Sequence, residues 1–213
     1  MDIINLSSKN KEEVILKVAD FIINEKIIVF PTDTIYGLIG DATSEKAINK
    51  IFSIKKRNYK KALPVFVSSI SMAKELALIG EKEEKFLSEV WPGKVTVVLK
   101  KRKDHSLPSF FGDTIGLRIP NYDLIDGLFE KIKRPLIGTS ANVSGELESF
   151  LISDVLRQFK EEKPDLIVSV GNLDVSNPST VVDLTKDRAN ILRAGSFPEE
   201  ELLNILNKFD KSN

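Results

Sequence analysis

The sequence contains no cysteine and only one histidine, His105. Without cysteine, the chain can form neither disulfides nor thiolate metal sites, and it has no cysteine nucleophile. A Ser-His-Asp triad or a histidine-rich metal site would have to use His105 alone, and the surrounding residues 103–108 are typical of a loop. These absences argue against both kinds of centre.

Net charge and long apolar runs are also lacking. Lysine plus arginine number 31 and aspartate plus glutamate number 31, so no global field attracts nucleic acid or an anionic membrane. No apolar run approaches the roughly 20 residues that span a bilayer. The first residues show no basic region before an apolar one, the pattern of a secretion signal. We therefore expect a cytoplasmic protein with no membrane partner.

The common nucleotide-binding motifs are missing as well. The chain has no G-x-x-x-x-G-K-[ST] segment and no G-x-G-x-x-G segment. A bound nucleotide would therefore have to be held without a P-loop or a Rossmann turn.

What is present is typical of an ordinary globular α/β protein. The chain has 213 residues, with 42% hydrophobic and 29% charged residues. Apolar periodicity predicts strands at 27–30, 63–67, 94–99, 114–120, 166–170, 179–183 and 191–193, and we expect the last two to pair with each other. It predicts helices at 11–24, 70–79, 82–90, 122–132 and 153–162, one that begins at Pro198, and one after Ser44, which can cap it. Because strands and helices mostly alternate but some strands follow one another directly, we expect one α/β domain over residues 1–213. Its sheet should be mixed, with helices packed on it.

Three polar loops follow apolar strands and are candidate sites. The first carries Thr32, Asp33, Thr34 and Tyr36 directly after the run 27–30, which Pro31 ends. The others are residues 138–145 and the approach to Ser179. A strand that delivers hydroxyls and a carboxylate to its end is how open α/β sheets build sites. The alternative is a plain turn in which Thr32 and Asp33 bond their own backbone.

Cations accompany these loops, in the cluster 55–61, at Arg118, at Arg193 and at Lys94. Hydroxyls, backbone amides and positioned cations suit an anionic substrate and phosphoryl or nucleotidyl transfer. They do not suit hydrolysis by a pair of carboxylates. The cluster 55–61 could equally be a solvated helix end. Arg118 and Arg193 interrupt apolar strands, so each needs an anionic or carbonyl partner if buried, and a structural carboxylate could serve.

Seven motifs together resemble the YrdC-like threonylcarbamoyl-AMP synthase family, of which this chain is similar to the single-domain members. The resemblance covers roughly residues 10–207, and the order of the motifs is more specific than any one of them. The motifs are Pro31-Thr-Asp-Thr-Ile-Tyr-Gly-Leu38, Lys55-x-Arg57, Trp91-Pro-Gly93, Gly116-Leu-Arg-Ile-Pro120, Ser140-Ala-Asn-Val-Ser-Gly145, Ser179-Thr-Val-Val-Asp183 and Ile191-Leu-Arg193.

The resemblance implies a twisted mixed α/β sheet around a large, positively charged concave cleft. It implies a nucleotidyltransferase that makes threonylcarbamoyl-AMP and pyrophosphate from L-threonine, bicarbonate and ATP, with Mg²⁺ accompanying ATP and no other metal. This would be the first step of the N6-threonylcarbamoyladenosine modification of tRNA. The implied partner is a downstream threonylcarbamoyl-transferase complex, and tRNA is a second partner that the resemblance allows.

The same resemblance assigns roles to individual residues. Lys55 and Arg57 are implied as catalytic. The implied L-threonine contacts are Thr34, Phe66, Arg118, Gly138 and Ser179. The implied ATP contacts are Lys55, Arg57, Lys61, Thr114, Ser140, Asn142 and Arg193.

Three positions depart from the family pattern: Asn58 and Lys94 replace common prolines, and Phe66 replaces a common histidine.

Two other functions are alternatives. A non-catalytic RNA-binding module of the same fold is suggested by the clusters 55–61 and 100–103, and the zero net charge argues against it. Carbamoyl transfer, as in the related domain of hydrogenase-maturation proteins, normally comes with zinc-finger segments that a chain without cysteine cannot form.

Overall fold

A computed structural model of the chain describes residues 2–59, 61–105, 107–148, 150–159 and 161–211. Within these residues a sheet of ten strands carries seven helices. The strands are β1 Asp2–Asn5, β2 Ile28–Phe30, β3 Gly37–Asp41, β4 Val65–Phe66, β5 Val95–Lys100, β6 Thr114–Arg118, β7 Leu136–Ser140, β8 Leu166–Ser169, β9 Thr180–Asp183 and β10 Asn190–Arg193. The helices are α1 Lys11–Ile23, α2 Glu45–Lys55, α3 Ile70–Leu76, α4 Glu81–Val90, α5 Asp123–Ile132, α6 Ile152–Gln158 and α7 Glu199–Lys211.

The sheet is mixed, as predicted. Its strand order is β1-β8-β2-β3-β7-β4-β6-β5-β9-β10. The pairs β1–β8, β2–β8, β4–β6 and β5–β9 are parallel, and the other adjacent pairs are antiparallel. The predicted pairing of the last two strands is confirmed as an antiparallel pair with an irregularity between Ile191 and Arg193.

Two hydrophobic clusters cover the two faces of the sheet. In and next to β2, Ile27 and Val29 contribute to one cluster, while Ile28 and Phe30 contribute to the other. Successive strand residues point to opposite faces, so a strand buried on both sides has a continuous apolar sequence. Helices α1 and α5 pack against each other over one face, and α2, α4 and α7 contribute to the other cluster.

Local signals set several helix starts. The Ser44 hydroxyl accepts a hydrogen bond from the Ala47 amide at 3.1 Å, and Ser69 caps α3 in the same way through Met72. A side-chain oxygen at this position satisfies an amide that the first turn leaves without a partner. The predicted cap at Ser44 is therefore confirmed.

Some boundaries differ from the predictions. The helix expected over 70–79 ends at Leu76, because Ala77 is extended and forms a bridge with Lys101. The helix expected over 153–162 is Ile152–Gln158, and position 160 lies outside the described residues. Strands β1 and β3 were not predicted. Among the described residues no helix is long and apolar enough to cross a membrane.

Candidate active site

The sheet brings the polar loops to one cavity of about 270 Å³. It is built from six consecutive strands, β3, β7, β4, β6, β5 and β9, together with the loop between β2 and β3 and Arg193 of β10. The predicted site residues that line this cavity are Thr34, Arg57, Phe66, Arg118, Gly138, Ser140, Ser179 and Arg193. Residues that lie up to 159 positions apart in the chain are thus brought together, as the motif order predicts.

Four predicted site residues do not line the cavity. Lys55 and Asn142 are buried beneath its wall, while Lys61 and Thr114 are exposed. Thr114 lies at the start of β6, four residues before Arg118, and pairs with Lys100 of β5. Because side chains alternate along a strand, Thr114 is on the same face as Gly116 and Arg118, both of which line the cavity.

Arg118 is held by a carboxylate at one end of the cavity. Its Nη2 donates to both oxygens of Asp33 at 2.7 Å, and its Nε donates to the Gly93 carbonyl at 2.8 Å. The Arg118 side chain is 3% exposed and that of Asp33 is 7% exposed. Burial lowers the pKa of the Arg118 guanidinium, and the Asp33 carboxylate acts in the opposite direction. Arg118 Nη1 donates a long hydrogen bond of 3.5 Å to the Thr34 hydroxyl, which leaves its second N–H group for another partner.

The wall beside Arg118 combines hydroxyls with one aromatic ring. Thr34 Oγ1 lies 3.1 Å from Thr32 Oγ1, which also donates to the Ile35 carbonyl. The Phe66 ring packs directly on Gly138, where an added Cβ would meet ring atoms at 2.3 Å. Glycine at 138 therefore leaves room for this ring. We call Arg118, Asp33, Thr34, Phe66 and Gly138 the paired end.

Arg193 is held by carbonyl oxygen. Its Nε and Nη2 donate to the Ser179 carbonyl at 3.1 and 2.8 Å, and the Ser179 hydroxyl lies 2.9 Å from Thr96 Oγ1. The closest carboxylate oxygen of Glu148 is 4.0 Å from Nη1, and the Arg193 side chain remains 45% exposed. This arrangement fixes the arginine without neutralising it by a close ion pair.

Arg57 is held in the same manner. Its Nη2 donates to the Ala62 carbonyl at 2.8 Å and its Nε to the Lys61 carbonyl at 3.4 Å. Partial burial lowers the pKa of the Arg57 guanidinium. We call Arg57, Arg193, Ser140 and Glu148 the open end. Glu148 supplies the carboxylate among the described residues that line the cavity.

Lys55 supports the open end from below. Its ammonium group donates to the carbonyls of Ser140 and Asn142 at 2.5 and 2.9 Å and to Asn142 Oδ1 at 2.8 Å. The Lys55 carbonyl also accepts from the Ser144 amide at 2.8 Å. The pKa of Lys55 is lowered to about 7, mainly by burial and also by the Arg57 charge, while Glu148 acts in the opposite direction. Since an ammonium has three donors, these three acceptors suit its protonated form.

Comparison with known proteins identifies the family. The family model named for Sua5, YciO and YrdC, described as "Telomere recombination", matches residues 20–195. The chain belongs to the Sua5/YciO/YrdC family. A protein of Methanocaldococcus jannaschii is 30% identical to it over 201 residues, which are 94% of each chain.

Other relatives of this family carry a functional name. The threonylcarbamoyl-AMP synthase of Pyrococcus abyssi is 33% identical over 96% of this chain, and this chain spans 60% of that relative. The threonylcarbamoyl-AMP synthase of Yersinia enterocolitica is 33% identical over 75% of this chain and 85% of its own length. The structure of Pyrococcus abyssi Sua5 complexed with L-threonine has a TM-score of 0.89 over 97% of this chain, at 32% identity. Escherichia coli YciO, at 22% identity and a TM-score of 0.81, shows the same fold.

Several residues that line the cavity were not predicted as ligands, among them Tyr36, Thr96, Thr139 and Glu148. Asp33 is not part of the lining but holds Arg118, and the sequence left it between a candidate site and a plain turn. Thr96 has a usable signal, because it is the one polar residue between Val95 and Val97 in an apolar strand. Glu148 has no such signal. Among the described residues no group of three or more acidic or histidine side chains could hold a metal ion.

Proposed function

We propose that this protein is an L-threonylcarbamoyladenylate synthase, a nucleotidyltransferase that forms threonylcarbamoyl-AMP and pyrophosphate from L-threonine, bicarbonate and ATP. The observation that carries the proposal is the division of one cavity into a paired end and an open end, each with arginine. A reaction that joins an amino acid to a nucleotide needs a carboxylate group and a triphosphate bound side by side. The relatives from Pyrococcus abyssi and Yersinia enterocolitica are named threonylcarbamoyl-AMP synthases, which supports the same activity for this protein.

At the paired end, Arg118 Nη1 and the Thr34 hydroxyl are placed to bind the carboxylate and hydroxyl of L-threonine. Gly138 and the Phe66 ring enclose the remainder of that end, and Ser179, which holds Arg193, is the proposed threonine contact on the side toward the open end. The relative solved with L-threonine supports this part of the proposal. Many members of the family have a histidine at the position of Phe66, whose ring makes an apolar wall in this protein.

At the open end, Arg57 and Arg193 are placed to neutralise the triphosphate. Ser140 also lines this end, and Lys55 and Asn142 fix the loop that carries Ser140. The family resemblance gives Lys61 and Thr114 as ATP contacts. Both lie outside the cavity lining, so we propose that they contact outer parts of ATP.

The proposed chemistry needs orientation more than acid–base groups. The neutral threonine amine and bicarbonate give a carbamate and water, and a carbamate oxygen then attacks the α-phosphate while pyrophosphate leaves. The rate of such a reaction is raised mainly because binding orients the two reactants in line and because cations stabilise the charge that develops in the transition state. Arg57 and Arg193 supply that charge here.

We propose that Mg²⁺ enters with ATP. The residues fit such an ion, because Mg²⁺ at nucleotide sites is held by one or two carboxylates together with phosphate oxygens. Glu148 would be the protein ligand, since it lines the open end and is 28% exposed. When bound, the ion would supply charge neutralisation on the phosphates.

The decisive experiment is pyrophosphate release from ATP by the purified protein. Release should require both L-threonine and bicarbonate, and the second product should have the mass of threonylcarbamoyl-AMP. Release that is independent of either substrate would overturn the proposal. L-Serine and L-allothreonine are the matched controls, because they alter the methyl group or its configuration and keep the carboxylate.

We further propose that the protein acts in the cytoplasm and that its product passes to a downstream threonylcarbamoyl-transferase complex acting on tRNA. Direct tRNA binding would be measured on the purified protein across a salt series, since phosphate contacts make affinity fall with salt.

A further inference from the structure

Two substrates whose anionic groups differ greatly in charge must reach different ends of one cavity. This inference rests on the proposed function. L-Threonine presents one carboxylate, whereas ATP presents a triphosphate. Three arginines, Arg57, Arg118 and Arg193, line the same cavity of about 270 Å³. If all three had equal free charge, the triphosphate would be attracted to each of them.

The three arginines are not equal, because their closest partners differ. Arg118 has a carboxylate at 2.7 Å, whereas Arg193 has Glu148 no closer than 4.0 Å. Arg57 donates hydrogen bonds to the backbone carbonyls of Lys61 and Ala62. Carbonyl oxygens orient a guanidinium but leave its net charge in place.

Burial makes the neutralisation at Arg118 effective. Both partners of the Arg118–Asp33 pair are less than a tenth exposed, so water screens them little. At a distance, such a pair acts as a dipole, whose attraction for a polyanion is far weaker than that of an isolated cation. At hydrogen-bond range, Nη1 still has an N–H group beyond its bond to Thr34, and Arg118 lines the cavity. A monocarboxylate can bind such a directed donor at close range, whereas the long-range attraction of a triphosphate depends on net charge.

We propose that Asp33 sorts the two anionic substrates within the cavity. By cancelling the charge of Arg118 it keeps polyphosphate away from the paired end, and it turns Nη1 toward the amino-acid carboxylate. The open end then attracts the triphosphate through Arg57 and Arg193. Asp33 thus acts on substrate through Arg118 and is a positioning and specificity residue.

The first test uses the unmodified protein. L-Threonine is titrated calorimetrically with and without inorganic tripolyphosphate, which stands in for the triphosphate of ATP. The threonine dissociation constant should change by less than about twofold, because the two anions occupy different ends. Competition between them, in a protein that still releases pyrophosphate as proposed above, would overturn this inference alone. A protein that neither binds threonine nor releases pyrophosphate would overturn the proposed function and this inference with it.

The second test compares two substitutions at one position. Asp33→Asn keeps the size and removes the charge, while Asp33→Glu keeps the charge. In Asp33→Asn, tripolyphosphate should weaken threonine binding by about tenfold or more, and added salt should reduce that effect. Asp33→Glu should retain the wild-type response. The readout is the ratio of threonine affinities with and without tripolyphosphate, since damage to packing would lower both affinities equally.

The outcomes are decisive for the folded variants. A folded Asp33→Asn protein without new competition would overturn the proposal, as would an Asp33→Glu protein that shows it. If circular dichroism shows that Asp33→Asn does not fold, the wild-type titration and Asp33→Glu still test the same claim.

Discussion

The two ends of the cavity hold arginine by different means. At the paired end, Arg118 is 3% exposed and is bound to the Asp33 carboxylate at 2.7 Å. At the open end, Arg193 is 45% exposed and is bound to the Ser179 carbonyl. Both residues are arginines, but the charge of Arg118 is balanced by a carboxylate in contact with it, whereas Arg193 has no carboxylate oxygen of the described residues closer than 4.0 Å.

The difference follows from burial. A cation removed from water is costly unless a counter-ion and hydrogen bonds replace its hydration, so Arg118 needs Asp33 and Gly93. A partly exposed cation keeps some of its water, and carbonyl oxygens suffice to hold it. Stability should therefore depend strongly on the paired end, whereas substrate charge should be felt mainly at the open end.

The largest effect is expected from breaking the buried pair. Arg118→Met removes the cation and leaves the Asp33 carboxylate buried without its partner. We expect a loss of about 3–5 kcal/mol in the free energy of unfolding, since truncating one member of a buried pair strands the other. Urea unfolding followed by circular dichroism measures this.

The control for this prediction removes the stranded charge. In the double variant Asp33→Asn/Arg118→Met, more than half of the lost stability should return, because no unpaired carboxylate remains. A loss below about 1 kcal/mol in Arg118→Met, as is typical of exposed pairs, would contradict the difference between the two ends.

An intermediate effect is expected at Lys55, which supports the open end. Lys55→Met removes the side-chain donor of the buried Asn142 carbonyl, whereas the Ser140 carbonyl keeps the Asn142 amide and Asn142 Oδ1 keeps the Ser140 hydroxyl. We expect a loss of about 1–3 kcal/mol at pH 7 in urea unfolding, the usual cost of buried groups left unsatisfied.

The same variant should change the pH dependence of stability. Burial lowers the Lys55 pKa from 10.5 to about 7, so between these values the unfolded chain binds more protons than the folded one. Stability of the wild type should therefore rise with pH above 7, by up to about 1 kcal/mol per unit, and Lys55→Met should lack this contribution. Parallel profiles from pH 7 to 9 would contradict it. Lys61→Met, which changes an exposed lysine nearby, should keep the wild-type slope.

Much of the fold could be predicted because its signals are local. The apolar run 27–30, the Ser44 cap and the paired strands near the C-terminus each depend on a few neighbouring residues. Strand β3 was missed, since Gly37 and Gly40 weaken its strand propensity and it is defined by pairing with β2 and β7. Strand β1 was missed because its residues alternate poorly and lie at an exposed edge.

The types of residue in the site could be predicted from the sequence, but the contacts between its side chains could not. The sequence placed hydroxyls and arginines at strand ends, and most of them line the cavity. Nothing local indicates that Arg118 meets Asp33, which is 85 residues away in the chain. The family resemblance implied that Lys55 contacts ATP, and lysine is seldom buried. It is 1% exposed because the 140–142 loop provides acceptors for all its donors.

The smallest effect on stability is expected at the open end itself. Arg57→Ala removes one well-formed hydrogen bond, from Nη2 to the Ala62 carbonyl at 2.8 Å, and leaves that acceptor near solvent. We expect the free energy of unfolding to change by less than about 1 kcal/mol. Activity should respond differently, because a cation facing the triphosphate is lost. The KM for ATP should rise by about tenfold or more, while the KM for L-threonine should stay within about twofold.

Pyrophosphate release at varied ATP and at varied L-threonine separates these two constants. Lys56→Gln is the matched control, since it also removes one positive charge but its ammonium pairs with Glu161, away from the cavity. That variant should leave both constants within about twofold of the wild type, because screened surface charges act weakly at a distance. Equal increases in both constants for Arg57→Ala would mean that the two ends are not energetically separate. An increase confined to the KM for ATP would instead locate the free positive charge at the open end.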